Sequence, residues 1–159
     1  MRHAKSVAAA AAAILLTASL LRRRKQKRRD PEQLLRSYYD AWSGGDADAL
    51  DDLLADDYEA HVHTLAGTED QDADELAGRI ESHAEAFEHV EYDLEDVVAS
   101  DGRVAARVTM KARHRETERD AETVGLVIMR VAGGRIAEEW SSWDYLGLAR
   151  QLGLEAASS

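Results

Sequence analysis

Apolar and polar positions along the chain follow two regimes that meet near Asp30. Before it, Val7 to Leu21 is a continuous run of small and apolar residues interrupted only by Thr17 and Ser19. After it, apolar residues recur with the periods of secondary structure. Leu34, Leu35, Tyr38, Tyr39 and Trp42 keep helical spacing behind Asp30-Pro31, a helix-starting pair, and Gly44-Gly45 ends the helix. Asp46 can cap a second short helix carrying Leu50, Leu53 and Leu54, and Tyr58 to Thr64 alternates as a short strand. A polar loop is expected over Gly67 to Asp72, then a helix over Asp72 to Glu88 with Leu76, Ile80, His83, Ala84 and Phe87 on its apolar side. The rest reads as β: Val90–Ala99, Arg103–Glu116, Thr123–Val131 and Arg135–Tyr145, with hairpin turns at Asp101-Gly102 and Gly133-Gly134, and a closing helix at Leu146–Leu152. Helices first and an antiparallel meander afterwards predict an α+β domain. Its curved sheet, wrapped on the N-terminal helices, leaves a concave and largely apolar pocket as the default ligand site.

Charge sharpens the division. The chain has 159 residues and a net charge of −11, yet Met1 to Arg29 holds nine of its 20 Lys and Arg residues and no acid. From Asp30 onward 11 basic residues face 31 acidic ones, a net of −20. Three segments follow: an apolar and polybasic leader over 1–29, one folded domain over 30–154, and a short disordered tail over 155–159. A domain this acidic repels phosphate backbones, so nucleic acid is excluded as a partner. After Arg29 the only Lys is Lys111 and every other basic residue is Arg, a haloarchaeal-type composition that suits a high-salt cytoplasm, where screening suppresses self-repulsion. Without Cys there are no disulfides, thiolate nucleophiles or Cys-bound metals.

The leader reads as a membrane anchor. Its apolar run of 15 residues falls short of the roughly 20 that span a bilayer upright. It ends in Leu20, Leu21 and then Arg22, unlike the small neutral residues of a cleaved signal. The basic cluster after it attracts anionic headgroups and places the domain on the cytoplasmic side; a signal sequence, or a disordered leader on a soluble cytoplasmic protein, are the alternatives.

Two stretches resemble a known family. Leu34-Leu35-Arg36-Ser37-Tyr38-Tyr39-Asp40-Ala41-Trp42-Ser43-Gly44-Gly45-Asp46, followed by Leu53-Leu54-Ala55-Asp56-Asp57, is similar to the opening of the SnoaL-like polyketide cyclases. Gly134-Arg135-Ile136-Ala137-Glu138-Glu139-Trp140, then Trp143-Asp144-Tyr145-Leu146-Gly147-Leu148 and Gln151-Leu152-Gly153, is similar to their ending. The central Asp101-Gly102-Arg103-Val104-Ala105-Ala106-Arg107 also fits, and the resemblance covers residues 31–154. It implies the cone-shaped nuclear-transport-factor-2-like (cystatin-like) fold, a hydrophobic small molecule as ligand, no cofactor and a homodimer. The implied chemistry is an aldol-type ring closure, in which a base removes a proton beside a carbonyl and the enolate attacks a second carbonyl. A binding or dimerisation module of the same fold is the alternative.

The resemblance places Asp144 at the family's acid/base Asp. Strand alternation puts Glu138, Trp140, Ser142 and Asp144 on one face, so a cavity-facing Trp140 brings Asp144 with it, where a dry pocket raises a carboxyl toward acid/base range. Asp144 can equally cap the closing helix. His61 and His63 share a strand face; His61 matches the family's pocket His, although Val62-His63 replaces the Asp-Pro that follows it there, so His61 either assists in the pocket or is a hydrogen-bonded surface His. Tyr38, at the oxyanion-hole Tyr of the related isomerases, is either core or site. Trp140, Tyr58, Trp42 and Phe87 complete the expected ligand wall, with His83, Arg107, Met110, Met129 and Trp143 also facing the interior. Glu59, His61 and His63 form too sparse a set to predict a metal site. His114 is assigned to a solvated loop with the charged residues after it.

Overall fold

The computed structural model describes residues 29–154. The apolar run, the basic segment before Arg29 and the tail at 155–159 lie outside the described residues. Among the described residues no helix is long and apolar enough to cross a membrane. The domain runs α1 (Pro31–Gly44), a 3₁₀ turn (Ala47–Ala49), α2 (Leu50–Leu53), β1 (Leu54–Thr64), β2 (Gly67–Gln71), α3 (Ala73–Ala86), β3 (Phe87–Ser100), β4 (Arg103–His114), β5 (Arg119–Ala132), β6 (Arg135–Trp143) and α4 (Tyr145–Leu152).

Local chemistry explains the boundaries. Pro31 begins α1, and Leu34 N–H donates to the Asp30 carbonyl at 3.0 Å while the Asp30 side chain makes no capping bond. Gly45 ends α1 in the left-handed region at φ 65°, and a Cβ there would meet Ala84 Cβ at 2.7 Å, so this glycine lets α1 and α3 approach. Asp46 Oδ1 accepts from Ala49 N–H, and Asp72 with Glu75 forms a reciprocal capping box at the start of α3.

Six strands form one sheet in the order β2-β1-β6-β5-β4-β3. β3 to β6 are the expected antiparallel meander, whereas β1 lies parallel to β6, so the sheet is mixed. The expected polar loop at Gly67–Gln71 is instead β2, an edge strand pairing Thr64 with Gly67 and His61 with Asp70. Its side chains are exposed or half-buried, so the strand carries no apolar alternation by which to read it. His114 also differs from expectation. It ends β4 opposite Arg119, is buried, and lays its ring 5.2 Å from Phe87; only the turn after it is solvated. Register shifts at Glu88/Glu91 and Glu95/Val98, with His89 at φ 53° and Asp96 at φ 50°, bulge β3 and curve the sheet over α1.

The core fills that curve. Leu34, Leu35, Tyr38 and Trp42 of α1 and Leu76 and Ile80 of α3 pack on Ala60, Val62, Val104, Val108, Val127, Met129 and Ile136 of the sheet. Each fully buried aliphatic side chain of this cluster contributes about 1.5–3 kcal/mol. Toward the other end of α1 the packing opens into a cavity.

Candidate functional site

Alternation along β6 decides what the cavity contains. Glu139, Ser141 and Trp143 point inward; Trp140 and Glu138 point to the opposite face of the sheet. Opposite them Tyr38, Tyr39 and Trp42 descend from α1, Arg79 and His83 from α3, and Tyr145 and Leu148 from α4. Phe87, Tyr92, Met110 and Thr123 complete the lining. The cavity is half open to solvent and its volume is ≈ 90 Å³, smaller than the ~150 Å³ apolar hole that takes up benzene.

Among the described residues Glu139 is the only acidic side chain of this lining. It is 5% exposed and accepts a hydrogen bond of 3.0 Å from the Tyr58 hydroxyl, delivered across the sheet from β1. Tyr38 lies close enough to the same carboxylate for its charge to act on the phenol. Burial first, and the charge of Glu139 second, hold the phenols of Tyr38, Tyr39 and Tyr58 protonated far above their ordinary range. Burial likewise raises Tyr92 and Tyr145. On α3, burial and then the nearby Arg79 charge push His83 down to about 4, so the imidazole is neutral at pH 7. Arg79 lies 5.5 Å over the Trp42 ring and donates to Gln71 Oε1 at 2.7 Å.

The residues singled out from the sequence divide between the two faces of the sheet. Tyr38, Trp42 and Phe87 line the cavity, as do His83, Met110 and Trp143, and Tyr58 reaches it through Glu139. Met129 is core, and Arg107 pairs on the outside with Glu95 and Asp96. The face expected for Trp140 is corrected. It stacks on His61 on the outer face at 5.4 Å and 27°, under Arg103 at 5.5 Å. The physical reason is the strand's period of two: Trp140 and Trp143, three apart, cannot share a face, and Trp143 occupies the inner one over Gly125, where a Cβ would lie 2.4 Å from the indole. His61 and His63 are outward because Tyr58, Ala60 and Val62 take the buried positions of β1. His61 Nδ1 contacts Asp70 at 2.7 Å and its Nε2 contacts Glu138 at 3.2 Å, while His63 Nδ1 meets Thr68 Oγ1 at 2.9 Å. Asp144 stands outside the cavity lining as N-cap of α4, its Oδ1 accepting from Gly147 N–H at 2.8 Å.

Glu139, Arg79, Tyr92 and Tyr145 were not among the residues picked from the sequence. The usable signal was the Trp143 phase of β6, which carries Glu139 inward with it. Metal-ligating groups come together on the outer face, where ligand atoms of Glu59, His61 and Asp70 all lie within 4.8 Å of one another. Both His61 nitrogens already have carboxylate partners there, which raise its pKa, the hydrogen bond to Asp70 most.

No curated protein sequence matches the chain. Among solved structures it is similar to IdmH of Streptomyces antibioticus, a proposed polyketide cyclase, with 26% identity and a TM-score of 0.69 over 77% of this chain and 98% of that one. TsrD of Streptomyces laurentii is similar at 26% identity and a TM-score of 0.67, over 78% of this chain and 95% of that one. A proposed polyketide cyclase of Bacillus cereus ATCC 10987 shares the fold at 21% identity and a TM-score of 0.69, over 78% of this chain and 80% of that one. The sequence pattern of the SnoaL-like polyketide cyclases itself runs through residues 32–152, from the first turn of α1 to the end of α4, and the chain belongs to that family.

Proposed function

We propose that the domain performs cofactor-free acid/base chemistry on a hydrophobic carbonyl compound, an aldol-type ring closure or a related reaction, with Glu139 as the base. One observation carries this reading: the one acid of the cavity lining among the described residues is buried against aromatic side chains and accepts a hydrogen bond from the Tyr58 hydroxyl. Glu139 takes the proton from the carbon beside a carbonyl, and the electron pair of that C–H bond becomes the enolate. The enolate carbon then bonds to a second carbonyl carbon, and the alkoxide formed takes the proton back from Glu139. A positioned base of this kind is worth typically 10²–10⁴-fold. Asp144, the acid/base residue expected from the family resemblance, acts in this reading on the first turn of α4 and thereby sets Tyr145 and Leu148 at the mouth.

The test is deuterium wash-in. Full-length protein in multimolar KCl and D₂O is incubated with 1-tetralone and 2-acetylcyclohexanone, and label at the carbon beside the carbonyl is followed by mass spectrometry. The reading requires exchange that Glu139→Gln removes and Asp144→Asn keeps. Ligand-induced thermal shifts without any exchange would favour the binding module, and exchange lost with Asp144→Asn alone would return the base to Asp144.

The surroundings of the site complete the proposal. Val98, Val124, Leu126 and Ile128 are exposed on the outer sheet face, in a band that continues through Trp140, and we infer that a second copy covers it. Leu126→Glu converts dimer to monomer in sedimentation if that is so; an unchanged mass refutes it. The leader's apolar run and basic flank support a membrane tether with the domain on the cytoplasmic side. Fractionation of full-length protein against a form starting at Asp30 decides it, since equal solubility of both excludes the tether. Adaptation to high salt, read from the −20 of residues 30–159, predicts unfolding on dialysis into low salt. Equal melting temperatures in low and multimolar KCl would refute it.

A further inference from the structure

Two buried nitrogens of the cavity wall lack a hydrogen-bond partner: Trp42 Nε1 and His83 Nδ1. Both side chains line the cavity, and their rings meet edge to face with centroids 5.4 Å apart. The Trp42 indole lies beside the Tyr38 phenol and lowers its pKa against the larger effect of burial, without a hydrogen bond of full geometry between them. Indole N–H is a donor and nothing else, and burying it without a partner forfeits the hydrogen bond it makes in water. Native structures keep such groups rarely, and a ligand that completes them is one reason to keep them.

The far side of the imidazole assigns its proton. His83 Nε2 lies 3.4 Å from the Tyr92 hydroxyl and 3.3 Å from Met110 Sδ. The Tyr92 phenol stays protonated through burial and donates to the Nε2 lone pair, a better acceptor than a thioether. That assignment leaves the ring proton on Nδ1. The α1–α3 wall therefore carries two unpartnered N–H groups beside the Arg79 guanidinium, while the β6 wall carries the carboxylate of Glu139. Of the nearby hydroxyls, that of Tyr58 is committed to Glu139 and that of Thr123 to the Asp144 carbonyl.

We propose that Trp42 Nε1–H and His83 Nδ1–H together hold the carbonyl oxygen of an enolisable ketone and take up its negative charge as the neighbouring C–H bond is broken. The inference rests on the acid/base reading of Glu139 and deepens it by naming the group recognised. In the step, the C–H electron pair moves to the ketone oxygen, the proton moves to Glu139, and both N–H donors keep their protons. Donors already fixed in a dry wall act on charge that develops in the transition state, which is where they accelerate a reaction most.

The experiment reads the nitrogens directly. Full-length ¹⁵N-labelled protein carrying Glu139→Gln, which mimics the protonated base and removes its repulsion of an anion, is titrated with 4-cyanophenol as an enolate analogue above the phenol's pKa. The chain has three Trp, and the Trp42 indole signal is assigned through its contacts to His83 and Tyr38. The expected result is a downfield shift of the Trp42 indole proton and of the His83 Nδ1 proton, with Trp140 unmoved. Trp42→Phe then weakens binding about tenfold or more, the range of a hydrogen bond to a charged group, while Trp140→Phe changes it less than about twofold. Binding with unshifted Trp42 and His83 signals overturns the pair yet leaves the base in place if Glu139→Gln still abolishes deuterium wash-in. Persistent wash-in with Glu139→Gln overturns the acid/base reading and this inference with it. Failure of 4-cyanophenol to bind also overturns the pair. The shift measurement keeps Trp42 and His83 intact, so it stands even if Trp42→Phe fails to fold.

Discussion

The two faces of β6 hold adjacent glutamates in opposite environments. On the outer face Glu138 receives Arg130 at 2.8 Å and His61 at 3.2 Å, and these hydrogen bonds hold its carboxyl below the usual range. One residue later, Glu139 is buried against Tyr58 with no cation at salt-bridge distance among the described residues. The histidines repeat the contrast. His61 outside sits between two carboxylates that raise its pKa, whereas His83 inside is driven by burial down to about 4. Residue type alone therefore says little about chemistry on this sheet; the face decides whether a charge is satisfied by counter-charge or left to be completed by a ligand.

The largest effect that could break this comparison comes from exchanging the glutamates. Glu139→Gln is expected to lower deuterium wash-in by about 10²–10⁴-fold, and Glu138→Gln to leave it within a few-fold, with circular dichroism confirming that both fold. Equal losses would mean that the faces are not functionally distinct.

Next is the pH dependence of stability. His83 titrates lower in the fold, about 4, than in the unfolded chain at 6.5, so the unfolded state binds more protons between those values. Stability from this residue is complete above pH 6.5 and falls by up to about 3 kcal/mol as pH drops toward 4. Urea unfolding at pH 7 and 4.5 in high salt measures it, and His83→Gln should flatten the slope. His61 acts with the opposite sign. Its raised pKa gives stability that is present below pH 6.5 and lost as pH rises through the folded value, a smaller effect because Asp70 and the pair are open to water.

Gly125→Ala tests the inner face of β5. The added methyl would meet the Trp143 indole at 2.4–2.7 Å, and overpacking of that kind costs about 1–3 kcal/mol in thermal unfolding while displacing Trp143 from the cavity. Smallest is the cap. Asp144→Ala should cost about 1 kcal/mol, and Asp144→Asn, which still accepts from Gly147 N–H, much less. A loss of stability with Asn as large as with Ala would show that the charge and not the cap matters.

Legibility in the sequence followed how local each cause is. Tyr38, Trp42 and His83 could be placed at the cavity because helical spacing on α1 and α3 fixes which side is buried, and a helix has one apolar side. Glu139 could not, because Ile136-Ala137-Glu138-Glu139-Trp140 offers two phases of alternation and both Ile136 and Ala137 are buried. β2 was invisible for a related reason: its strand character comes from pairing with β1 and not from its own apolar content. Likewise nothing near His61 announces that Asp70 and Glu138 flank it, since one is across a hairpin and the other on a strand 77 residues away.

The sequence by itself determined the α+β order of elements, the family, the apolar side of each helix and the split into a net positive leader and a net negative domain, since these depend on spacing and composition within short stretches. Only the tertiary structure decided that Glu139 faces the cavity, that Trp140 and His61 do not, and that Trp42 and His83 each keep a nitrogen free. A strand has two faces of equal standing until its neighbours bury one of them, and a polar atom is unpartnered only relative to everything packed around it.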